Sequence, residues 1–342
     1  MKHINIPIFI PHLGCPNQCI FCNQRYISGT VEFDPFSVRK IIEETLETVG
    51  DCVECEIAFF GGSFTGIDRC LMIELLSIAE EYVKAGKVMG IRMSTRPDYI
   101  SQEIINILKN YTVSCVELGI QTMNDEVLTY LKRGHTVFDT VQATKLLREN
   151  NIPFVGQMMI GLPKASKEDE IYCAEQICKL GAVASRIYPT IVFRHTELEG
   201  ITRCGEYAAL SLDEAVERSA LALKVFKQNN VNCIRIGLSD SENLHSEESY
   251  ACGPNSPSIG EMVKSKLYFD DFCGMLGECY YKNADLYVEC PVGLVSQLIG
   301  HRRKNITDLK KRFGFRHIKV VGCPNLKYEE IKFEIKEENS CD

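Results

Sequence analysis

The strongest constraint on the fold is an alternation of apolar, β-rich runs with amphipathic helical stretches through the first two thirds of the 342-residue chain. Such alternation predicts βα units around a parallel sheet. The predicted strands are Ile4–Ile10, Ile57–Phe60, Gly90–Ser94, Cys115–Ile120, Phe154–Ile160 and Arg186–Phe193. The predicted helices are Pro35–Val49, Ile67–Ala85, Ser101–Leu108, Thr136–Glu149 and Lys167–Leu180. We therefore expect an α/β fold, a partial (βα)6 barrel whose chemistry gathers at the C-terminal ends of the strands.

The same pattern divides the chain into three parts. Residues 1–240 hold the partial barrel, to which a seventh strand near Asn232–Leu238 is added after the helix Leu212–Gln228. Residues 241–282 form a connecting loop and helix, and residues 283–342 form a small α+β domain. We expect these boundaries because the βα alternation stops at a polar stretch followed by a Gly/Pro-rich loop.

Composition narrows the cellular setting and the partners. The chain has 17 cysteines but no export signal and no long apolar run, which favours a reducing cytoplasm and no membrane association. Its net charge of −8 argues against general adhesion to nucleic acid. Any nucleic-acid binding must therefore come from a local basic patch.

Three cysteines lie within eight residues just after the first predicted strand. Cys15, Cys19 and Cys22 have C-x3-C-x2-C spacing, and three soft thiolates suit an iron–sulfur cluster with one iron left open to a small molecule. The alternative is structural zinc, which prefers four protein ligands. His12 is a candidate fourth ligand, but the C-x2-C pair at Cys52 and Cys55 has no partner pair. The spacing favours the cluster.

Polar and glycine-rich motifs follow the other predicted strands, at the edge where a barrel binds its ligands. Glycine pairs allow a backbone to approach a ligand closely, and an arginine can pair with a ligand carboxylate. The motifs, in chain order, are Gly61-Gly62-Ser63-Phe64-Thr65, Ser94-Thr95-Arg96-Pro97-Asp98, Glu117 to Gln121, Arg133-Gly134-His135-Thr136, Gln157 to Pro163, and Arg186 to Thr190. Pro97 holds Arg96 out of helical geometry, so we expect Arg96 to point a fixed charge into the mouth of the barrel.

With Phe21 directly before the third cysteine, the cysteine loop resembles that of the radical S-adenosylmethionine (SAM) superfamily. The resemblance implies a 4Fe–4S cluster on Cys15, Cys19 and Cys22, which binds SAM and, given one electron from a donor such as ferredoxin or flavodoxin, cleaves it to a 5′-deoxyadenosyl radical. It implies SAM contacts from Phe21, Gly61, Gly62, Ser63, Thr65, Ser94, Gln121, Arg133 and Gln157. It assigns no further catalytic residue.

Within that superfamily, residues 5–240 are similar to the catalytic subunit of Elongator, which carboxymethylates the wobble uridine of tRNA. The similarity lies in Ser94–Asp98, Glu117–Gln121, Arg133–Thr136, Ile187–Thr190 and Gly205–Tyr207. That family carries an acetyltransferase-like domain after the barrel, whereas about 100 residues follow here without a glycine-rich acyl-CoA loop. A weaker similarity is to oxygen-independent coproporphyrinogen oxidase, in which an acidic residue replaces Gln157. Because no glycine-rich acyl-CoA loop is found after the barrel, the resemblance to Elongator does not imply carboxymethylation by this chain.

Residues 284–322 are predicted to run strand, helix, loop, helix, strand, an order that resembles a KH domain, whose GXXG loop clamps a nucleic-acid backbone. The predicted elements are Ala284–Glu289, Leu294–Ile299, Ile306–Phe313 and Arg316–Val321. Here Arg303 replaces the second glycine of the loop. Eight cations face one acid, Asp308, between 301 and 320. An ordinary solvated basic helix is the alternative to RNA binding through Gly300, His301, Arg302, Arg303 and Lys304.

Taken together, the motifs favour a radical SAM enzyme that modifies an RNA, and we expect a tRNA base as its target. One alternative is a radical SAM enzyme acting on a small tetrapyrrole, in which the C-terminal domain is only structural. The other is a non-catalytic iron–sulfur protein that binds RNA as a regulator, which does not account for the separate set of strand-end motifs.

Overall fold

The computed structural model describes residues 2–10, 13–15, 19–23, 33–49, 53–238, 246, 248–327 and 330–336. The strands are β1 (Lys2–Phe9), β2 (Val53–Phe60), β3 (Gly90–Thr95), β4 (Val113–Gln121), β5 (Phe154–Ile160), β6 (Ala184–Pro189), β7 (Val192–Phe193), β8 (Asn232–Ile236), β9 (Tyr250–Cys252), β10 (Asp285–Cys290), β11 (His317–Gly322) and β12 (Lys332–Lys336). The helices are α1 (Val38–Thr48), α2 (Arg69–Lys84), α3 (Gln102–Leu108), α4 (Asp125–Tyr130), α5 (Val137–Glu149), α6 (Lys167–Lys179), α7 (Glu197–Arg203), α8 (Leu212–Gln228), α9 (Ile259–Leu276), α10 (Val295–Ile299) and α11 (Lys304–Phe313).

The main sheet has seven strands in the order β1-β2-β3-β4-β5-β6-β8, and every neighbouring pair is parallel. Its outward side chains, such as Ile57, Phe59 and Leu118, are fully buried against the helices in one large core. This arrangement confirms the predicted βα barrel, including its seventh strand.

The opposite face of the same strands is polar. Glu56, Arg92, Glu117 and Arg186 alternate with the core residues on β2, β3, β4 and β6. The Arg186 guanidinium lies 5.9 Å from the centre of the Phe60 ring, although three strands separate β6 from β2. The sheet is therefore curled into a half barrel, and its polar face is the concave one.

The prediction of one continuous strand over Arg186–Phe193 is wrong. β6 ends at Pro189, which has no N–H to continue the ladder, and the Thr190 amide donates to the Ile160 carbonyl at 2.8 Å. The chain then forms β7, which pairs antiparallel with β9 instead of continuing the main sheet. This short ribbon places residues 249–252 beside the carboxyl edge of the barrel.

Helix starts follow the sequence signals closely. A capping box joins Ser166 to Asp169 at the start of α6, and another joins Thr136 to Asp139 at the start of α5. The short helices α4 and α7, of six and seven residues, were not predicted. In the described part of the chain, no helix combines the length and the apolarity needed to span a membrane.

The C-terminal lobe, comprising β10 to β12 with α10 and α11, has its own core around Leu286, Leu298 and Phe313. The predicted strand–helix–helix–strand order is present, and β12 adds an unpredicted third strand to give the sheet order β11-β10-β12. β10 is parallel to β11 and antiparallel to β12. The buried Asn305 side-chain amide donates to the Ser265 carbonyl at 2.9 Å, which fixes the start of α11 against α9.

Candidate cofactor site at the carboxyl edge of the barrel

The cysteine loop follows β1 and is anchored by Ile20, which lies between two of the cysteines. Ile20 is 2% exposed and packs with Leu131 and Leu198. Its amide donates to the Leu131 carbonyl at 3.2 Å, and its carbonyl accepts from the Leu198 amide at 2.8 Å. The unpredicted helices α4 and α7 therefore hold the loop in place. His12, the alternative zinc ligand, lies outside the described residues.

The three thiols differ in their surroundings. Cys19 is buried, whereas Cys15 and Cys22 are half-buried. Across the described ranges, no three His, Cys, Asp or Glu side chains already converge on one metal position. The fit of a cluster therefore rests on the donor set, and three thiolates on one loop beside the strand ends suit an iron–sulfur cluster with an open iron.

The glycine pair after β2 packs directly under the cysteine loop. A Cβ on Gly62 would lie 2.5 Å from the Leu13 carbonyl oxygen, and one on Gly14 would lie 2.3 Å from the Ser63 carbonyl oxygen. The Cys15 thiol also lies 3.3 Å from the Ser63 hydroxyl. The two segments thus meet backbone to backbone, which explains the small residues and adds Gly14 to the site. Sequence reasoning missed Gly14 because it is a lone glycine in an irregular loop.

The side-chain hydroxyls of Thr65 and Ser94, two of the predicted SAM contacts, hydrogen-bond to other residues of the barrel. The buried Thr65 hydroxyl lies 2.7 Å from the Thr95 hydroxyl and donates to the Tyr99 carbonyl at 2.9 Å. The Ser94 hydroxyl lies 3.5 Å from the Gly62 carbonyl oxygen, so it is next to the glycine pair. Thr65 therefore joins the ends of β2 and β3, while Ser94 lies at the concave side of the same edge.

Arg133 reaches from the loop after α4 into the centre of the site. Its Nη2 donates to the Gly119 carbonyl at 2.9 Å, and its Nη1 lies 3.5 Å from the Cys19 sulfur. A Cβ on Gly119 would lie 2.6 Å from Nη2, so the glycine makes room for the guanidinium. Within the part of the chain that the structure describes, the buried Nε of Arg133 has no hydrogen-bond acceptor. Gln121, with φ 69°, accepts from the Gln157 amide at 3.5 Å nearby.

A second arginine of this edge, Arg96, is buried. Arg96 is 2% exposed and donates to both oxygens of Asp98 at 2.9 and 2.8 Å, so it presents no free charge to the mouth, contrary to the sequence prediction. Its bidentate partner two residues away holds the guanidinium inward. Burial, reinforced by Arg133 and Arg96, lowers the pKa of His135 to about 3. His135 is therefore neutral at physiological pH.

A chain of ion pairs crosses the concave face below this edge. Arg92 donates to Glu56 at 2.9 Å and to Glu117 at 3.3 Å, and Arg186 donates to the same Glu117 oxygen at 2.7 Å. These side chains are between 4% and 14% exposed. Glu56 and Arg92 were not among the predicted site residues, although a charge within an apolar strand marks a polar inner face.

The predicted RNA-binding loop lies on the C-terminal lobe, where residues 301–304 are exposed and Gly300 is buried. Gly300 has φ 82°, and a Cβ there would lie 2.9 Å from the backbone nitrogen of Asn305. Arg302 and Arg303 have φ 49° and 62°, so both adopt the left-handed conformation that the glycines of a GXXG loop would favour. Lys304 pairs with Asp213 at 3.0 Å on the surface.

Comparison with known proteins identifies the family. The chain matches the model of the radical SAM superfamily over residues 9–175 and that of the radical SAM C-terminal domain over residues 183–268. It is 32% identical over 206 residues to a tRNA uridine(34) acetyltransferase of Methanocaldococcus jannaschii, covering 54% of this chain and 38% of that protein. It is 29% identical over 227 residues to an uncharacterized protein of the same organism, covering 63% of this chain and 69% of that protein.

Human Elongator complex protein 3 is 28% identical over 212 residues, which cover 56% of this chain and 39% of the human protein. The matches thus span less than two fifths of the human protein and of the M. jannaschii acetyltransferase. The solved structure of Methanocaldococcus infernus Elp3 with an N-terminal deletion shares the fold, with a TM-score of 0.61 at 22% identity over 81% of this chain and 65% of that chain. From the two family models and the cysteine loop at the carboxyl edge of its half barrel, the chain belongs to the radical SAM superfamily.

Proposed function

We propose that the protein is a radical SAM enzyme that modifies a nucleotide of tRNA. The observation that carries the proposal is the presence, in one molecule, of a three-thiol loop beside the barrel strand ends and an exposed cationic loop on a separate lobe. Relatives named as tRNA uridine(34) acetyltransferases support tRNA as the substrate class.

In this proposal Cys15, Cys19 and Cys22 hold a 4Fe–4S cluster, and the adjoining edge holds SAM. When bound, the cluster supplies the electron that cleaves SAM reductively, and the cofactor then provides the radical chemistry. The electron comes from a donor such as ferredoxin or flavodoxin. The Arg133 guanidinium lies beside Cys19 through Nη1, and its buried Nε–H has no acceptor among the residues described, which suits the side chain to a ligand carboxylate. Gly61 and Gly62 keep side chains out of the space next to the cysteine loop.

The cationic loop provides the RNA contact. Arg302, Arg303 and Lys304 are exposed, and Lys311 and Arg312 extend the same basic surface along α11. Only Lys304 of these five residues has an ion-pair partner in the described ranges, and that pair is on the surface, where it contributes little. Phosphates can therefore replace solvent around these cations without breaking a buried pair.

The cofactor half of the proposal is tested by reconstituting the protein with iron and sulfide under anaerobic conditions and measuring 5′-deoxyadenosine after adding dithionite and SAM. We expect about four irons per chain and release of 5′-deoxyadenosine. The triple variant C15A/C19A/C22A should lose both, whereas Cys70→Ala, at an exposed helix position, should lose neither. Full iron content in the triple variant would overturn the cluster assignment. A normal cluster that never cleaves SAM, even with tRNA present, would favour the regulator.

The RNA half is tested by a gel-shift titration with bulk tRNA at two salt concentrations. The variant R302E/R303E/K304E should bind at least tenfold more weakly than the wild type, because it removes three cations from the loop and adds three anions. It should still assemble the cluster and cleave SAM at the basal rate. Equal, salt-insensitive binding by both proteins would remove the case for RNA and favour a small-molecule substrate such as a tetrapyrrole.

A further inference from the structure

The concave face of the half barrel has more hydrogen-bond donors than acceptors near β6 and β8. Arg186 donates through Nη2 to Glu117 at 2.7 Å and through Nη1 to the Tyr188 hydroxyl at 3.3 Å. Its buried Nε–H has no acceptor among the described residues. Because a guanidinium can only donate, the Tyr188 oxygen is the acceptor of that bond and its own O–H proton is left to donate elsewhere.

Tyr188 stays protonated in this environment, since burial raises the pKa of its hydroxyl. Arg235 is the register partner of Arg186 on the neighbouring strand β8 and acts electrostatically on Tyr188. It is half-buried and has no ion-pair partner among the described residues. Three sets of unused donors, on Arg186, Tyr188 and Arg235, are therefore close together on one concave surface.

The charges of this face do not cancel. Three arginines, at positions 92, 186 and 235, accompany two buried glutamates, Glu56 and Glu117, which leaves one net positive charge. One positive charge matches a monoanion such as a phosphodiester or a carboxylate better than a doubly charged phosphate monoester. Buried donors without acceptors carry a free-energy cost that a bound anion would remove.

We propose that Arg186, Tyr188 and Arg235 form a subsite on the inner face of the barrel that binds a singly charged oxyanion of the substrate. The proposed binding of an oxyanion does not depend on whether the substrate is RNA or a small molecule. Its assignment to the phosphodiester next to the modified nucleotide rests on the proposed function. Glu117 fixes Arg186 in place, so the subsite is formed before the substrate arrives.

The test uses the 342-residue chain and the dinucleotide UpU, which carries one phosphodiester, with uridine and propionate as comparison ligands. All proteins carry R302E/R303E/K304E, which suppresses phosphate binding at the exposed loop. Tyr188→Phe removes one donor and keeps the Arg186–Glu117 bond, and Arg235→Gln removes the unpaired charge. Tyr172→Phe and Arg39→Gln, at exposed positions of outer helices, are the matched controls. Circular dichroism checks that each variant is folded.

We expect Tyr188→Phe and Arg235→Gln each to raise the dissociation constant for UpU about tenfold in calorimetry, with the controls unchanged and uridine bound far more weakly than UpU. If propionate binds with the same sensitivity to both substitutions while UpU does not bind, the oxyanion subsite stands and the assignment to RNA is overturned. If no ligand loses affinity in either variant, the subsite itself is overturned, whereas the gel-shift result for the cationic loop is unaffected.

Discussion

The barrel and the C-terminal lobe use charged side chains in opposite ways. In the barrel, Glu117 is 4% exposed and accepts hydrogen bonds from two arginines on different strands. In the lobe, Arg302 and Arg303 are exposed and have no carboxylate partner in the described ranges. The buried charges of the barrel hold one another in fixed positions, while Arg302 and Arg303 of the lobe are exposed and available to a partner. The first arrangement suits a preformed binding surface, and the second suits salt-sensitive attachment of a large anion.

Buried and exposed charges also differ in how much their substitution affects stability. A buried carboxylate is tolerated because its partners are in place, so removing one member leaves an unpaired charge in a poorly hydrated environment. An exposed cation is well hydrated with or without a partner, so its substitution changes stability little. Substitutions in the two regions should therefore affect different measurements: stability for the barrel and RNA affinity for the lobe.

The largest effect is expected for Glu117→Gln. The amide cannot balance the charges of Arg92 and Arg186, which are 14% and 12% exposed. We expect the free energy of unfolding to fall by about 3 kcal/mol, measured by urea denaturation. Glu81→Gln, which breaks the surface pair with Arg39, is the control and should leave the urea midpoint unchanged. An unchanged midpoint for Glu117→Gln would show that the buried network is not required for stability.

Motifs that are contiguous in sequence could be predicted, and contacts between strands could not. The cysteine loop, the glycine pair and the basic stretch 301–320 are each readable as short runs. The network of Glu56, Arg92, Glu117 and Arg186 comes from four strands, and only the curl of the sheet brings Arg186 toward β2. A single charge within each apolar strand was the available signal, but it does not say which charges pair.

Local backbone geometry was a second limit. Replacement of the second loop glycine by Arg303 puts close backbone approach in doubt, yet Arg302 and Arg303 both adopt the left-handed conformation. Each such residue costs on the order of 1 kcal/mol, and the loop is fixed by buried Asn305, which donates to the Leu298 carbonyl at 3.2 Å. Conversely, Arg96 could be recognised as fixed but not as buried, because its pairing with Asp98 depends on side-chain direction.

A pH titration sharpens the comparison through His135. Because burial and two arginines lower its pKa to about 3 in the folded state, the unfolded chain takes up a proton near pH 6.5 that the folded chain does not. The contribution of His135 to the free energy of unfolding is therefore fully present above that pH, and it decreases as the pH drops toward 3. When the pH is lowered from 7 to 5, this residue should reduce the free energy of unfolding by about 2 kcal/mol. His135→Asn should remove that share of the pH dependence in urea denaturation, whereas His301→Asn, on the exposed loop, should not. Parallel pH profiles for wild type and His135→Asn would contradict the buried neutral histidine.

The smallest expected effect concerns one exposed cation in the lobe. Arg302→Gln keeps a non-glycine residue at φ 49°, so the strain of the loop is unchanged and only the charge is removed. If Arg302 contacts a phosphate, the slope of log affinity against log salt concentration for tRNA should become shallower by about 0.7 to 0.9. Arg316→Gln is the matched control in the same lobe, because Arg316 donates to both oxygens of Asp285 at 3.0 Å. That pair already neutralises Arg316, so its loss should leave the salt slope as in the wild type. Equal slopes for Arg302→Gln and wild type would mean that the exposed loop is a solvated basic surface, and the contrast between buried and available charge would no longer separate the two regions.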